Sequence, residues 1–311
     1  MTERKKIFIL GGTGFIGAAL TRQLSANRAE NDLMMLIHRR AQLQELEQIN
    51  TYTGSLGSFD LSLLDQFSPD TLIHLARMSG GGRIGRHLAA WRGARANNRI
   101  INYLKPRPLI PHTIYVSGTL VYGDCGNTPA DEERPIRPIA FAREYINAEK
   151  PWMTAVEKRE IPVTILRPPW IIGHSSWFAE FYLKNIKYRK VVPLFGDGQN
   201  WMSLIDVEDC AGLIAHAVRN SRPGQNYNLF APGACITQLE FAEKLATFTR
   251  TEIKRLSASE IESQYGKTVR EAFTFSNISS TKHSEFLEGY HFEHPSIDDM
   301  IRNNLPAELC V

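Results

Sequence analysis

The residues best suited to chemistry in this chain are glycines. Gly11-Gly12-Thr13-Gly14-Phe15-Ile16-Gly17 follows the apolar run Ile7-Phe8-Ile9-Leu10 and precedes Ala18 to Leu24, an amphipathic helical stretch. A glycine turn between strand and helix permits a tight reversal, lets backbone N–H groups close on a ligand, and adds the positive end of a helix dipole. A dinucleotide pyrophosphate is held in this way, so Gly11, Thr13, Gly14, Phe15, Ile16 and Gly17 are the expected contacts. A purely structural glycine turn is the alternative. A second signal is His38-Arg39-Arg40, at the end of the next apolar run. An acidic residue about 20 positions after the glycines usually binds the ribose hydroxyls of NAD. Here two guanidinium groups would pair with a 2′-phosphate, and no carboxylate stands there to repel it. The expected cofactor is therefore NADP rather than NAD, unless Arg39 and Arg40 only end a strand at the surface.

These groups need elements that bring strand ends together. The apolar runs are Ile7 to Leu10, Leu33 to Ile37, Thr71 to Leu75, Thr113 to Val116, Val163 to Leu166 and Tyr227 to Phe230. They alternate with the helix-patterned stretches Ala18 to Ser25, Leu61 to Phe67, Arg86 to Leu104, Phe141 to Lys158 and Val207 to Val218. Such alternation predicts an α/β fold, a Rossmann-type doubly wound parallel sheet whose ligands bind beyond the carboxyl ends of the strands. Residues 1–169 and 204–233 are read as the dinucleotide-binding domain. Residues 170–203 and 234–311 break the alternation and are read as a small C-terminal substrate lobe.

With 36 basic against 33 acidic side chains in 311 residues, the formal charge of +3 gives no argument for a nucleic-acid or anionic-membrane partner. Arg4-Lys5-Lys6 reads as a solvated start. No apolar stretch approaches the roughly 20 residues that span a bilayer. Cys125, Cys210, Cys235 and Cys310 are far apart, with no CxxC pair and no histidine at ligand spacing, so neither a metal site nor a disulfide framework is expected. A cytoplasmic protein is expected, acting on a small-molecule substrate or effector, with a homodimer as the assembly to consider.

The chain resembles the extended short-chain dehydrogenase/reductases, in particular the NAD(P)-dependent epimerase/dehydratase group. Besides the glycine turn, the resemblance rests on Leu72-Ile73-His74-Leu75-Ala76 and Tyr115-Val116-Ser117-Gly118-Thr119-Leu120-Val121-Tyr122-Gly123. Arg167-Pro168-Pro169, and Leu194 to Asn200 ahead of Ile205-Asp206-Val207-Glu208-Asp209, add to it. The resemblance implies that Ser55 and Leu56 touch the adenine and that Leu75, Ala76 and Arg77 run along the pyrophosphate and ribose. It also implies that Pro168 and Pro169 flank the nicotinamide, with Ser117 among the cofactor contacts.

In that family a tyrosine gives or takes the substrate proton, a lysine lowers its pKa and holds the ribose, and a serine or threonine steadies the carbonyl. Carried onto this chain, the serine or threonine place falls on Gly118, the tyrosine on Phe141 and the lysine on Tyr145. Tyr145 and Glu149 share the four-residue spacing, but an acid stands where an ammonium belongs, and Lys150 lies about 100° further round the helix. Strand alternation sends Ser117 and Thr119 to the face opposite Gly118. Two readings follow. In one, Tyr145 presents its hydroxyl from one helical turn along, partnered by Arg77, Arg83 or Lys150, to a small carbonyl, enone or nucleotide-sugar substrate. The progesterone 5β-reductase-like members, whose tyrosine is moved along that helix, are similar. In the other, the chain is a catalytically silent NADP-responsive binding or regulatory protein.

Smaller signals each carry two accounts. Ser79-Gly80-Gly81-Gly82-Arg83-Ile84-Gly85-Arg86-His87 is a surface loop or an anion nest using Arg83 or Arg86. Trp170, Trp177, Phe178, Phe181, Tyr182 and Trp201 form the core of the small lobe or a wall for a flat substrate. Asp197 and Asp206 are read as turn and cap residues, and His112, His283, His291 and His294 as surface.

Overall fold

The computed structural model describes residues 4–38 and 49–309, apart from the side chains of Arg83, Glu144 and Tyr145. Its strands are β1 (Lys5–Leu10), β2 (Asn31–Ile37), β3 (Asn50–Thr53), β4 (Thr71–His74), β5 (His112–Val116) and β6 (Val163–Arg167). These are followed by β7 (Trp170–Ile172), β8 (Val191–Phe195), β9 (Trp201–Asp206), β10 (Asn226–Asn228), β11 (Cys235–Thr237) and β12 (Glu252–Leu256). The helices that matter here are α1 (Phe15–Ala26), α2 (Ser62–Phe67), α3 (Gly82–Leu104), α4 (Ala140–Glu157), α5 (Lys184–Arg189) and α6 (Val207–Asn220).

A seven-stranded sheet runs in the order β10-β6-β5-β4-β1-β2-β3. The pairs from β3 across to β6 are parallel. The expected Rossmann-type fold is thus present. Its central strands are apolar on both faces, as burial on both sides requires: Ile7, Phe8, Ile9, Leu72, Ile73 and Ile114 are wholly buried. Strand order reverses between β1 and β4, which is where such sheets open a crevice at their carboxyl ends.

The chain divides into two compact units, 1–117 with 144–167 and 211–227, and 118–143 with 168–210 and 228–311. The first unit contains a buried ion pair. Arg167, ending β6, donates from Nη2 to Oε1 of Glu149 on α4 at 2.8 Å, with both side chains out of solvent. Ser117 Oγ donates to the other oxygen of Glu149. Close by, His74 Nε2 lies 2.8 Å from Asn97 Oδ1. The Asn97 amide donates to the Ala148 carbonyl at 2.7 Å, so Oδ1 is the acceptor and the His74 proton sits on Nε2. Edge-on contacts to Tyr115 and Trp152 close the His74 ring in, and burial pulls its pKa down to about 4.

His112 corrects the sequence reading. It opens β5, is partly buried, pairs with Thr164 Oγ1 at 2.9 Å, and is likewise pulled to about 4 by burial. A histidine at a strand entry is covered by the neighbouring strand, which spacing alone does not reveal.

The second unit holds a three-stranded sheet, β11-β9-β7, and the pair β12-β8. Its aromatic residues form a core. Phe195 stacks on Phe273 at 4.4 Å, Trp170 meets Trp177 at 5.1 Å, and Tyr182 meets Phe241 at 5.2 Å. Asp197 accepts the Gln199 amide in a turn, and Asp206 accepts that of Glu208 at the start of α6, as their types predict. No helix among the described residues is long and apolar enough to cross a membrane. No group of three or more His, Cys, Asp or Glu among them could hold a metal ion.

Removing one partner of a buried ion pair strands the other charge, at a cost of about 3–5 kcal/mol. Arg167→Met is expected to lower unfolding free energy by that amount in urea titrations, and Arg167→Met with Glu149→Leu to recover most of it. His74 and His112 predict acid sensitivity. Their folded pKa lies below the unfolded value, so the unfolded chain takes up protons first and stability is lost as pH falls from about 6.5 towards 4. For His74 the loss is on the order of 3 kcal/mol, and His74→Gln should flatten the urea midpoint against pH over that window.

Candidate functional site

Backbone alone shapes the turn after β1. Gly11 adopts φ +89°, the left-handed region, and a Cβ there would lie 2.6 Å from the Ala76 nitrogen. The turn is therefore pressed against the chain leaving β4. A Cβ on Gly17 would sit 2.1 Å from the Gly11 carbonyl oxygen, so α1 packs directly on the turn. Gly14 is extended (φ −78°, ψ −178°), and its carbonyl accepts the Ala18 amide at 2.8 Å, starting the helix. Thr21 Oγ1 donates to the Gly12 carbonyl at 3.0 Å and locks the turn onto α1.

No side chain caps α1 and none of its first-turn residues is acidic. By helix geometry the amides of Phe15, Ile16 and Gly17 have no acceptor within the helix. With Gly14 exposed in front of them, these amides at the amino end of an uncapped helix fit a diphosphate.

The other expected contacts are placed as follows. Leu75 and Ala76 continue β4, with the Leu75 amide donating to the Leu10 carbonyl at 2.8 Å. Arg77 follows them, and its Nη2 donates to the Ser117 carbonyl at 2.8 Å. Leu56 is half-buried, Ser55 is exposed and bonds Ser58 at 2.7 Å, and His38 is exposed just beyond β2. Arg39 and Arg40 lie outside the described residues. Pro168 and Pro169 are buried in the second unit, where the Pro168 carbonyl accepts the Thr119 amide at 2.9 Å.

At the expected proton-transfer positions, β5 has already ended at Val116. Ser117 turns to Glu149, and Thr119 donates to Asn277 Oδ1 at 2.8 Å, so both hydroxyls beside Gly118 are committed to buried partners. Gly118 itself is extended, and a Cβ there would meet only the Pro168 carbonyl at an ordinary 3.5 Å. Nothing in the backbone demands glycine. Phe141, on the first turn of α4, is 41% exposed. The Tyr145 side chain lies outside what is described. Glu149 is engaged by Arg167 and Ser117.

Sequence reasoning missed that cluster, yet a signal existed. Glu149 falls on the helix face of Ala142, Ile146 and Trp152, all buried, and an acid on an apolar face requires a buried cation. The glycine-rich run also differs from a simple loop. From Gly82 it is the first turn of α3, and a Cβ on Gly80 would lie 2.0 Å from the Gly85 carbonyl, so the run is folded back on itself.

A sequence profile of the NAD dependent epimerase/dehydratase family matches residues 7–229. The dTDP-L-rhamnose 4-epimerase of Burkholderia thailandensis is 23% identical over 288 residues, covering 75% of this chain and 78% of that protein. Epimerase family protein SDR39U1 of Bos taurus is 22% identical over 309 residues, covering 94% and 97%. Among solved structures, UDP-glucuronic acid 4-epimerase from Bacillus cereus, with UDP-glucuronic acid and NAD, superposes at a TM-score of 0.78 with 19% identity over 96% of each chain. Human SDR39U1 isoform 2, with NADPH, superposes at 0.72 with 17% identity over 96% of this chain and 98% of that one. At such identities these structures establish the fold.

The two glycines predict opposite outcomes. Gly17→Ala should cost more than about 2 kcal/mol in thermal unfolding, because backbone must move to admit the methyl. Gly118→Ser should shift stability by less than about 1 kcal/mol.

Proposed function

The chain belongs to the NAD dependent epimerase/dehydratase family, and from that premise we propose that it binds NADP(H) and acts as an oxidoreductase on a small carbonyl, enone or nucleotide-sugar substrate without the usual serine, tyrosine and lysine. The observation that carries this reading is the Gly11–Gly17 turn, whose close backbone contacts leave outward donors where a diphosphate would lie. Phe15, Ile16 and Gly17 would hold the diphosphate by their amides. Leu56 would flank the adenine, and Leu75, Ala76, Arg77 and Ser117 would line the ribose and pyrophosphate. Pro168 and Pro169 would flank the nicotinamide.

NADP over NAD is supported by His38-Arg39-Arg40, which offers two guanidinium groups and no carboxylate. The SDR39U1 neighbour, solved with NADPH, supports it as well. Residues 170–203 and 234–311 supply the substrate lobe. When bound, the nicotinamide supplies or takes up a hydride. Tyr145 would give the proton that such a reduction needs, from its hydroxyl to the substrate oxygen or α-carbon, with solvent restoring it. Losing a positioned general acid removes about 10² to 10⁴ in rate rather than all of it.

The second reading, a silent NADP-responsive binder, is favoured by Gly118 and Phe141, which place neither hydroxyl nor phenol at the usual positions. One set of measurements decides. In fluorescence titrations NADPH should bind at least about tenfold tighter than NADH, and Arg39→Ala should remove the difference. Equal affinities in both proteins would defeat the 2′-phosphate argument. With enones, aldehydes and nucleotide sugars offered in turn, loss of the reduced-nicotinamide absorbance should be slowed in Tyr145→Phe. Tight NADPH binding with no oxidation by any acceptor would establish the silent binder instead.

A further inference from the structure

The near-neutral charge of the whole chain conceals a local imbalance. Between Asp70 and Asp124 there is no acidic residue, while the same stretch holds seven arginines and one lysine. Five of those arginines, Arg83, Arg86, Arg92, Arg95 and Arg99, belong to α3, a helix of 23 residues without one carboxylate. Such a block attracts negative charge.

One face of α3 adds an apolar stripe to the charge. Ile84, Leu88 and Trp91 follow at i, i+4 and i+7, so they share one side of the helix. They are 86%, 41% and 55% exposed. The core does not use them, because α3 turns Ala89, Ala90, Ala96, Ile100 and Ile101 inward. On that inner side a Cβ on Gly93 would lie 3.2 Å from the Ala148 Cβ, so α4 packs closely there. The outer stripe is bordered by basic side chains, all exposed. Arg95 continues it by a turn, with its guanidinium 5.8 Å from the centre of the Trp91 ring. Arg92 and His87 stand on its two flanks. Neither Arg92 nor Arg95 forms an ion pair among the described residues.

We propose that this face docks α3 flat on an anionic phospholipid surface, with Ile84, Leu88 and Trp91 among the upper acyl chains and Arg92 and Arg95 on the lipid phosphates. Tryptophan suits that depth, where its ring is in apolar surroundings and its N–H meets headgroups or water. Arginine lays its stem along the apolar surface and keeps its guanidinium at the level of the phosphates. Other partners fit the face less well. A second copy would set one acid-free helix against another, which like charge opposes. A nucleic acid would satisfy the arginines and leave the exposed isoleucine and leucine without a contact. A stable protein partner covers about 800 Å² on each side, whereas the stripe from Ile84 to Trp91 is only about 10 Å long. A lipid surface takes both charge and stripe, and binding through so short a stripe is reversible. No step of this depends on the dinucleotide.

Flotation of the full chain with lipid vesicles is the test. At low ionic strength the protein should partition at least about tenfold more strongly onto vesicles of equal parts phosphatidylcholine and phosphatidylglycerol than onto phosphatidylcholine alone. Added salt should weaken that binding. Arg92→Gln with Arg95→Gln should lower it at least about tenfold, and Ile84→Ser with Leu88→Ser at least about fivefold. All four side chains are exposed, so both variants should unfold at the temperature of the parent. Leu109→Ser, at a residue 84% exposed in the same unit, should change nothing. Failure to bind the anionic vesicles, equal binding to both kinds, or unchanged partitioning in both α3 variants overturns the proposal. So does a loss in Leu109→Ser as large as theirs. A dimer in sedimentation that Ile84→Ser with Leu88→Ser dissociates would give the face to a second copy. Retention on polyuridylate that the arginine variant loses and the apolar variant keeps would give it to nucleic acid, and either result also overturns the proposal.

Discussion

A single backbone approach governs the site: the carbonyl of Gly11 occupies the place where a side chain at position 17 would have to stand. From that approach follow the seat of α1 on the turn, the outward aim of its first amides, and the contact between Gly11 and the chain leaving β4. The turn is squeezed between its own helix and the neighbouring strand, and only missing side chains make room. A site built from backbone in this way keeps its shape while almost everything around it changes. The family model spans this turn, although the two relatives named above are only 22% and 23% identical to the chain.

The buried Arg167–Glu149 pair plays the complementary part in the first unit. It joins the end of β6 to the middle of α4, and Ser117 brings in the residue just past β5. Desolvating two charges is expensive, and a pair of apolar residues would serve stability as well or better. What an ion pair with a third hydrogen-bonded partner adds is a fixed orientation. Here it fixes the stretch that leads from the end of β5 towards Gly118, the expected serine or threonine place. The same cluster withdraws the Ser117 hydroxyl and the Glu149 carboxylate from any role at a substrate.

The sequence revealed the parallel strands and their crossover helices because burial on both faces leaves uninterrupted apolar runs such as Ile7 to Leu10 and Thr113 to Val116. It revealed the turn chemistry because few residues other than glycine tolerate those contacts. Short strands were harder. β3 is exposed along its length and carries no apolar run, and the strands of the small sheets, β7, β8, β9, β11 and β12, are too short or too irregular to announce themselves. The start of α3 was hidden by glycines that resemble a loop, and the burial of His112 by a neighbour 52 residues away in sequence. Glu149 was legible as an acid on an apolar face, but its partner across the fold was not. Arg39 and Arg40, on which the choice of cofactor turns, lie outside the described residues.

The start of α6 also constrains the order in which segments of the second unit come together. Asp206 receives the side-chain amides of Asn303 and Asn304, and Asp209 receives the Tyr290 hydroxyl and the amides of Glu293 and His294. Both carboxylates are fully enclosed, yet between 81 and 98 residues of translation separate them from their partners. While a ribosome is still reading that interval, two anions must stay hydrated, and the surface meant to close over them stays open to chaperones and proteases. The second unit therefore closes over these two carboxylates only once the stretch around Asn304 is free to fold, whereas β1 to β5 can pair without it.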